Sequence, residues 1–264
     1  MDSLSIVAAG HRLEALWIPP SDRDALAIVM LHEGVGCVSG WRDWPEELAR
    51  ATGCGVLGYS RWGYGGSDPV ELPRPLTYMH DEGLIALPQV MDAVGIQEAV
   101  LLGHSDGASI AIIHAGDARA DPRARARVKG LVLLAPHVFC EDVSVVAIEQ
   151  TREAFVNGDL RERLAKRQGA NVDGAFWGWN RAWLDPGFRA WNIESFLPAI
   201  EVPVLVIQGE ADPYGTIAQV DAVTRAVRGP PERFMIPECG HAPHKERPEE
   251  TTAAVVGFVR AQMR

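Results

Sequence analysis

Residues 101–116, LLGHSDGASIAIIHAG, break an apolar run with Gly103-His104-Ser105-Asp106-Gly107 and resume with small and apolar residues. A G-x-S-x-G pentad between a strand and a helix is the pattern of a nucleophile elbow, a sharp turn that lifts a serine hydroxyl above a sheet. The competing reading is a tight strand-to-helix turn that happens to hold a serine. At neutral pH a serine hydroxyl is a weak nucleophile. It needs a base to take its proton and a carboxylate to orient that base. Further along, VLVIQGEADPYGT presents Glu210 and Asp212 just beyond an apolar run, and RFMIPECGHAPH presents His241 after Gly240. The order Ser105, Asp212, His241 thus puts the acid and the base each in the loop after a strand-like segment. Three ordinary loop residues would have to coincide at matching positions to imitate it. The expected chemistry is acyl transfer through an acyl-serine.

That chemistry also needs backbone N–H donors for the developing oxyanion. One is expected from Asp106, the residue after the nucleophile. The other is expected from LHEGVGCVSGW (31–41), where Gly34 is the first choice and Glu33 the second. Glu33 and Asp106 would then flank one hole. Two carboxylates so placed would raise each other's pKa and need a neutralising partner such as Arg61, His32 or His137. The alternative is that both turn away and are salt-bridged elsewhere. His32, Glu33 and His137, the last just beyond a strand in LAPHVF, are expected in the pocket wall. Trp177, Trp179 and Trp183 are expected either there or, with Trp191, in internal packing. His80 is read as the start of a surface helix. His241 and His244 share an H-x-x-H spacing, but no third ligand is near in sequence and no metal site is expected.

The elements that must hold these residues follow from hydrophobic patterning. Strands are expected at 13–19, 25–31, 53–60, 99–104, 128–136, 202–209 and 233–238. Several are continuous apolar runs, as parallel strands buried on both faces require. Helical patterns occupy about 41–52, 80–95, 106–118, 215–228 and 248–263. This alternation predicts an α/β fold with a mainly parallel central sheet and helices on both faces. Between about 141 and 198 the alternation stops in favour of aromatic-rich helical sequence, FWGWNRAWLDPGFRAWNIESF among it. The expected organisation is a core of 1–138 and 199–264 with an inserted helical cap, 139–198, over the carboxyl ends of the strands, where such sheets bind ligands.

The chain has 264 residues, 47% of them hydrophobic, and a formal net charge of -10. That charge balance argues against nucleic acid as a partner, since counterion release needs clustered Lys and Arg. The one basic stretch, Arg119, Arg123, Arg125, Arg127 and Lys129, reads as a solvated loop. No apolar run approaches the ~20 residues of a membrane span, and the N-terminus lacks a secretory pattern. Cys37, Cys54, Cys140 and Cys239 have no metal-type spacing and read as reduced packing residues of a cytoplasmic protein.

HEGVG (32–36), SRWGYGGSD (60–68), GHSDG (103–107), GEADPYG (209–215) and CGHAPH (239–244) together resemble the α/β-hydrolase superfamily over essentially the whole chain. The resemblance implies Ser105 as nucleophile, His241 as base, Asp212 as its acid, and no cofactor. A small-molecule substrate is expected, and the protein is expected to be a monomer or homodimer. Serine at 105 sets the chain apart from relatives with an aspartate nucleophile, the haloalkane dehalogenases and epoxide hydrolases. What remains is hydrolysis of a small, apolar or aromatic carboxylic ester, or of a lactone, thioester or ring-cleavage product of aromatic catabolism. A hydrolase-like receptor that binds without turnover is the reading from another class. Two departures stand out: Glu33 replaces a glycine of the usual oxyanion loop, and Asp106 stands where a neutral residue is commoner.

Overall fold

The computed structural model describes residues 4–22, 26–117 and 126–263; Arg119, Arg123 and Arg125 lie outside them. The sheet comprises β1 (Leu4–Ala8), β2 (His11–Ile18), β3 (Ala27–Leu31), β4 (Gly55–Tyr59), β5 (Ala99–His104), β6 (Val128–Leu134), β7 (Val204–Gly209) and β8 (Pro231–Ile236). Their spatial order is β1-β2-β4-β3-β5-β6-β7-β8. β2 runs antiparallel to both neighbours, and the remaining pairs are parallel. The apolar runs found the parallel strands. They missed β1, an edge strand that buries only Ile6 and Ala8 while Val7 is 69% exposed. β2 and β3 follow one another in the chain, and β4 lies between them in the sheet.

Every residue of β3 is buried, because alternate side chains enter different cores. Ala27, Val29 and Leu31 meet Leu87, Val90 and Ile110 on one face. Ile28 and Met30 meet Trp41, Trp44, Leu48 and Phe258 on the other. The covering helices are α1 (Trp44–Thr52), then α2 (Tyr78–Asp81), which passes through a wider turn at Glu82–Ala86 into α3 (Leu87–Ala93). α4 (Asp106–Gly116) is buried along its whole length.

Between β6 and β7 run α5 (Asp142–Asn157), α6 (Leu160–Gln168) and α7 (Val172–Leu184). A lone bridge between Phe139 and Asn192 stands near their start and end. The chain closes with α8 (Ile217–Ala226), the short α9 (Pro243–Glu246) and α10 (Pro248–Gln262). Arg127 and Lys129, from the basic stretch, pair with Asp92 at 2.6 Å and Glu98 at 2.9 Å. The four cysteines are free thiols. Among the described residues, no helix is long and apolar enough to cross a membrane.

One contact sets how closely α4 can follow β5. A Cβ on Gly107 would stand 2.0 Å from the Leu31 carbonyl oxygen and 2.9 Å from that of His32. Backbone cannot yield as a flexible side chain can. Gly107→Ala should therefore destabilise the protein by at least about 2–3 kcal/mol, measured by urea unfolding.

Candidate active site

Ser105 sits at the carboxyl end of β5 with φ 55° and ψ -119°, a positive φ that a residue with a Cβ avoids. Such strain persists where the surroundings over-determine the backbone. Here the Ser105 N–H donates to the Leu134 carbonyl at 2.9 Å. Gly103 and Gly107 pack so closely that a Cβ on Gly103 would come within 2.3 Å of the Gly107 carbonyl oxygen. Asp106 then opens α4, where the first N–H groups have no intrahelical acceptor and the helix dipole favours negative charge.

His241 Nδ1 lies 2.9 Å from both Asp212 oxygens. The carboxylate also accepts from the Tyr214 N–H at 2.8 Å and from Gln208 Nε2 at 3.4 Å. Burial works against the Asp212 charge, but the hydrogen bond and charge of His241 and the Tyr214 amide outweigh it and hold the carboxyl below its usual range. An Nδ1–H donated to Asp212 leaves Nε2 as the basic nitrogen. His104, inside the elbow, donates Nε2–H to the His241 carbonyl at 2.8 Å. The serine turn thereby holds the backbone of the histidine it faces.

The loop after β3 is held from beneath by Arg61. Its guanidinium donates to the His32 carbonyl and, at 3.0 Å, to that of Glu33. Its backbone N–H donates to His32 Nε2 at 3.1 Å, while His32 Nδ1 donates to the Glu33 carbonyl at 2.7 Å. From α6, Gln168 Nε2 donates to the Val35 and Gly36 carbonyls at 2.8 and 3.0 Å. Asn171, just beyond α6, donates to the carbonyls of Gly65 and Ser67 at 3.0 and 2.7 Å. The SRWGYGGSD motif contains Arg61. No signal in the sequence marks Gln168 or Asn171 for these roles.

Glu33 and Asp106 go to separate partners instead of forming a pair. Glu33 reaches Lys245 Nζ at 3.2 Å and lies 3.6 Å from His104 Nδ1. Burial opposes its charge, yet Lys245 and His104 hold it well below the usual carboxylate range. Asp106 is fully buried and accepts from the Tyr78 hydroxyl at 2.5 Å and from Trp183 Nε1 at 3.2 Å. Burial raises its pKa, against the pull of Arg61, Tyr78 and Trp183. Of the three neutralising partners expected, Arg61 is the one that acts on Asp106. Lys245, which the sequence did not single out, serves Glu33.

A cavity of about 90 Å³ brings together Ser105, His241, Gly34, Asp106, Glu33, His137, Trp179 and Trp183. Gly34 lies flat under Trp179, with its missing Cβ 2.2 Å from the indole. Ile148, Thr151 and Tyr214 complete much of the wall; Tyr214 lies within the GEADPYG motif, whereas nothing in the sequence marks Ile148 or Thr151. Two expected wall residues lie elsewhere. His32 is engaged inside the loop it was expected to present. Trp177 packs edge-on against Phe155 and Phe176, beneath the Arg181 guanidinium. Trp191 stacks on Phe188 in the interior. His80 lies in α2 with its ring 5.7 Å from that of Phe196.

His137 is buried with its ring 5.7 Å from that of His241. Burial and the neighbouring His241 push its pKa down to about 3. His244 does not share a ligand site with His241; it stacks on Trp44 at 5.2 Å. Among the described residues, no group of three or more His, Cys, Asp or Glu is placed to hold a metal ion.

A model of the alpha/beta hydrolase family matches residues 28–255. The chain belongs to that family. Solved structures similar to this hydrolase include the enol-lactonase of Burkholderia xenovorans, at TM-score 0.74 and 20% identity over 97% of this chain and 99% of that one. A thermophilic esterase of Thermogutta terrifontis superposes at TM-score 0.75 and 18% identity over the whole of both chains. At such identities the likeness is one of fold. Epoxide hydrolase A of Mycobacterium tuberculosis is 40% identical over 73 residues, 27% of this chain and 23% of that protein's length.

The buried carboxylate gives a stability test. Tyr78→Phe removes one of the donors to Asp106 and leaves the charge in place. It should cost about 1.5–3 kcal/mol, the range for a hydrogen bond to a charged group, read as a lower urea midpoint at unchanged slope.

Proposed function

We propose that this hydrolase cleaves a small, neutral carboxylic ester through an acyl-Ser105 intermediate, with residues 139–198 acting as a cap over the core of 1–138 and 199–264. The reading rests above all on one observation: a strained serine and a histidine oriented by Asp212 border the same small cavity. Ser105 Oγ attacks the carbonyl carbon as His241 Nε2 takes its proton. Asp212 keeps the imidazole in the productive tautomer and stabilises the imidazolium. The N–H groups of Gly34 and Asp106 receive the oxyanion. His241 then protonates the leaving alkoxide, and water, activated by the same histidine, releases the acid.

The substrate class follows from the walls. Apart from the catalytic groups, Trp179, Trp183, Ile148 and Val35 make the lining largely apolar, and it contains no Lys or Arg. About 90 Å³ corresponds to roughly three water volumes, room for an acyl group of a few heavy atoms. A compact lactone fits the same space and is the second reading. Epoxide opening is disfavoured on chemical grounds. A carboxylate nucleophile gives an ester that water can cleave, whereas Ser105 would give a stable ether.

A screen of short aryl esters, lactones and acyl thioesters against wild type and Ser105→Ala tests the assignment. Ser105→Ala and His241→Ala should each lower kcat by about 10⁴-fold or more, and Asp212→Asn by less, because nucleophile and base act as a unit. Near-wild-type turnover by Ser105→Ala would contradict the mechanism. His137, with its pKa near 3, is neutral throughout the working range. His137→Gln should therefore lower turnover while the acid limb of the kcat/KM–pH profile keeps its position. A limb that moves would assign His137 a proton-carrying role.

A further inference from the structure

A surface hollow of about 360 Å³, largely open to solvent, lies against the first cavity on the cap side. Ala147, Ala154, Leu160 and Pro213 give it apolar walls, with Gln150 at its edge. Val35, Thr151 and Tyr214 line both cavities, so these three side chains form the partition. Across it the Thr151 and Tyr214 hydroxyls lie 2.6 Å apart.

The direction of that hydrogen bond follows from its surroundings. Thr151 Oγ1 already donates to the Ala147 carbonyl at 2.8 Å, one turn back in α5. Its only hydrogen is thereby used, so Tyr214 Oη donates and Thr151 accepts. Burial also raises the Tyr214 phenol above its ordinary pKa and keeps that proton in place. The Tyr214 backbone is fixed on both sides: its N–H donates to Asp212 Oδ1 at 2.8 Å, and its carbonyl accepts from Ser144 Oγ at 2.5 Å. With the backbone held at both points, a passage between the two spaces would open by rotation of the phenol ring. That ring lies 4.6 Å from the His241 ring, so the partition stands directly beside the base.

We propose that the Thr151–Tyr214 hydroxyl pair is a gate between two compartments of one substrate site. The substrate it fits is a neutral ester with a short group on one side of the carbonyl and a longer apolar group on the other. This rests on the hydrolase reading of the inner cavity and adds to it the shape of the substrate. The inner compartment holds the reacting carbonyl and only a few further atoms, and a longer chain extends past the gate into the outer hollow. Neither compartment offers a cation to an anionic chain end. Closing the hydroxyl pair behind a short substrate separates the acyl-enzyme from the outer cavity.

The test uses methyl ketones from butan-2-one to decan-2-one, which carry the carbonyl but cannot be hydrolysed, with binding measured by calorimetry. Tyr214→Phe and Thr151→Val each remove the hydroxyl bond with little change in volume. Each should improve the affinity for decan-2-one relative to butan-2-one by roughly three- to tenfold, the equilibrium weight of one net hydrogen bond. The double variant should improve it no further, because both substitutions break the same contact. A ratio unchanged in both single variants, or effects that add in the double variant, would overturn the gate. Hydrolysis of aryl esters by wild type is the separate arm: its absence would overturn the ester reading, while the ketone ratios would still decide the gate.

Discussion

The first turn of α4 meets the end of β3 with no room for a single methyl group at Gly107, and the rest of the site depends on that contact. It draws α4 down onto the sheet, so the chain must leave β5 through the positive φ of Ser105. It also brings the free N–H end of the helix beside the loop that follows β3, where Gly34 lies. Ser105, Asp106 and Gly34 are thus brought to the same cavity by backbone packing, the placement on which the proposed acyl transfer depends. Backbone packed so closely holds position better than loops held by surface contacts, and catalysis by preorganised donors requires that fixity.

Below this constraint lies a buried arrangement of charge. Arg61 holds the carbonyls of His32 and Glu33, so it sets the path of the loop that carries Gly34. Its charge would be costly in the interior without the Asp106 carboxylate near it. Asp106 in turn takes a hydrogen bond from Trp183 of α7 and one from Tyr78 of α2. Trp183 also forms part of the cavity wall. One carboxylate therefore joins α4, which follows Ser105, to α7 in the segment between β6 and β7 and to α2. Gln168 and Asn171 add a second tie between that segment and the core loops.

The sequence was most legible where chemistry and backbone geometry restrict residue type. The serine elbow, the acid and base beyond β7 and β8, and the fully apolar parallel strands all fall in that class, and the structure gathers Ser105, His241, Gly34 and Asp106 at one cavity. Less legible were features set by long-range packing. β1 is a half-exposed edge strand whose five residues carry little periodic signal. Trp177 and Trp179 are two residues apart on α7 and hence on different faces, yet nothing local says which face meets the cavity. Of the two arrangements open for Glu33 and Asp106, each carboxylate takes its own partners, Lys245 for one and Tyr78 with Trp183 for the other, though both line the cavity. Thr151, unmarked in sequence, meets Tyr214 of the GEADPYG motif only because α5 crosses the loop after β7.

The central claim is that Ser105 carries the acyl group. Mass spectrometry of the protein, acid-quenched within milliseconds of mixing with a short aryl ester, tests it most directly. The account predicts a mass increase equal to one acyl group, confined to the peptide that contains Ser105 and absent from Ser105→Ala. Acylation at another residue, or turnover with no acylated species at any quench time, would contradict it.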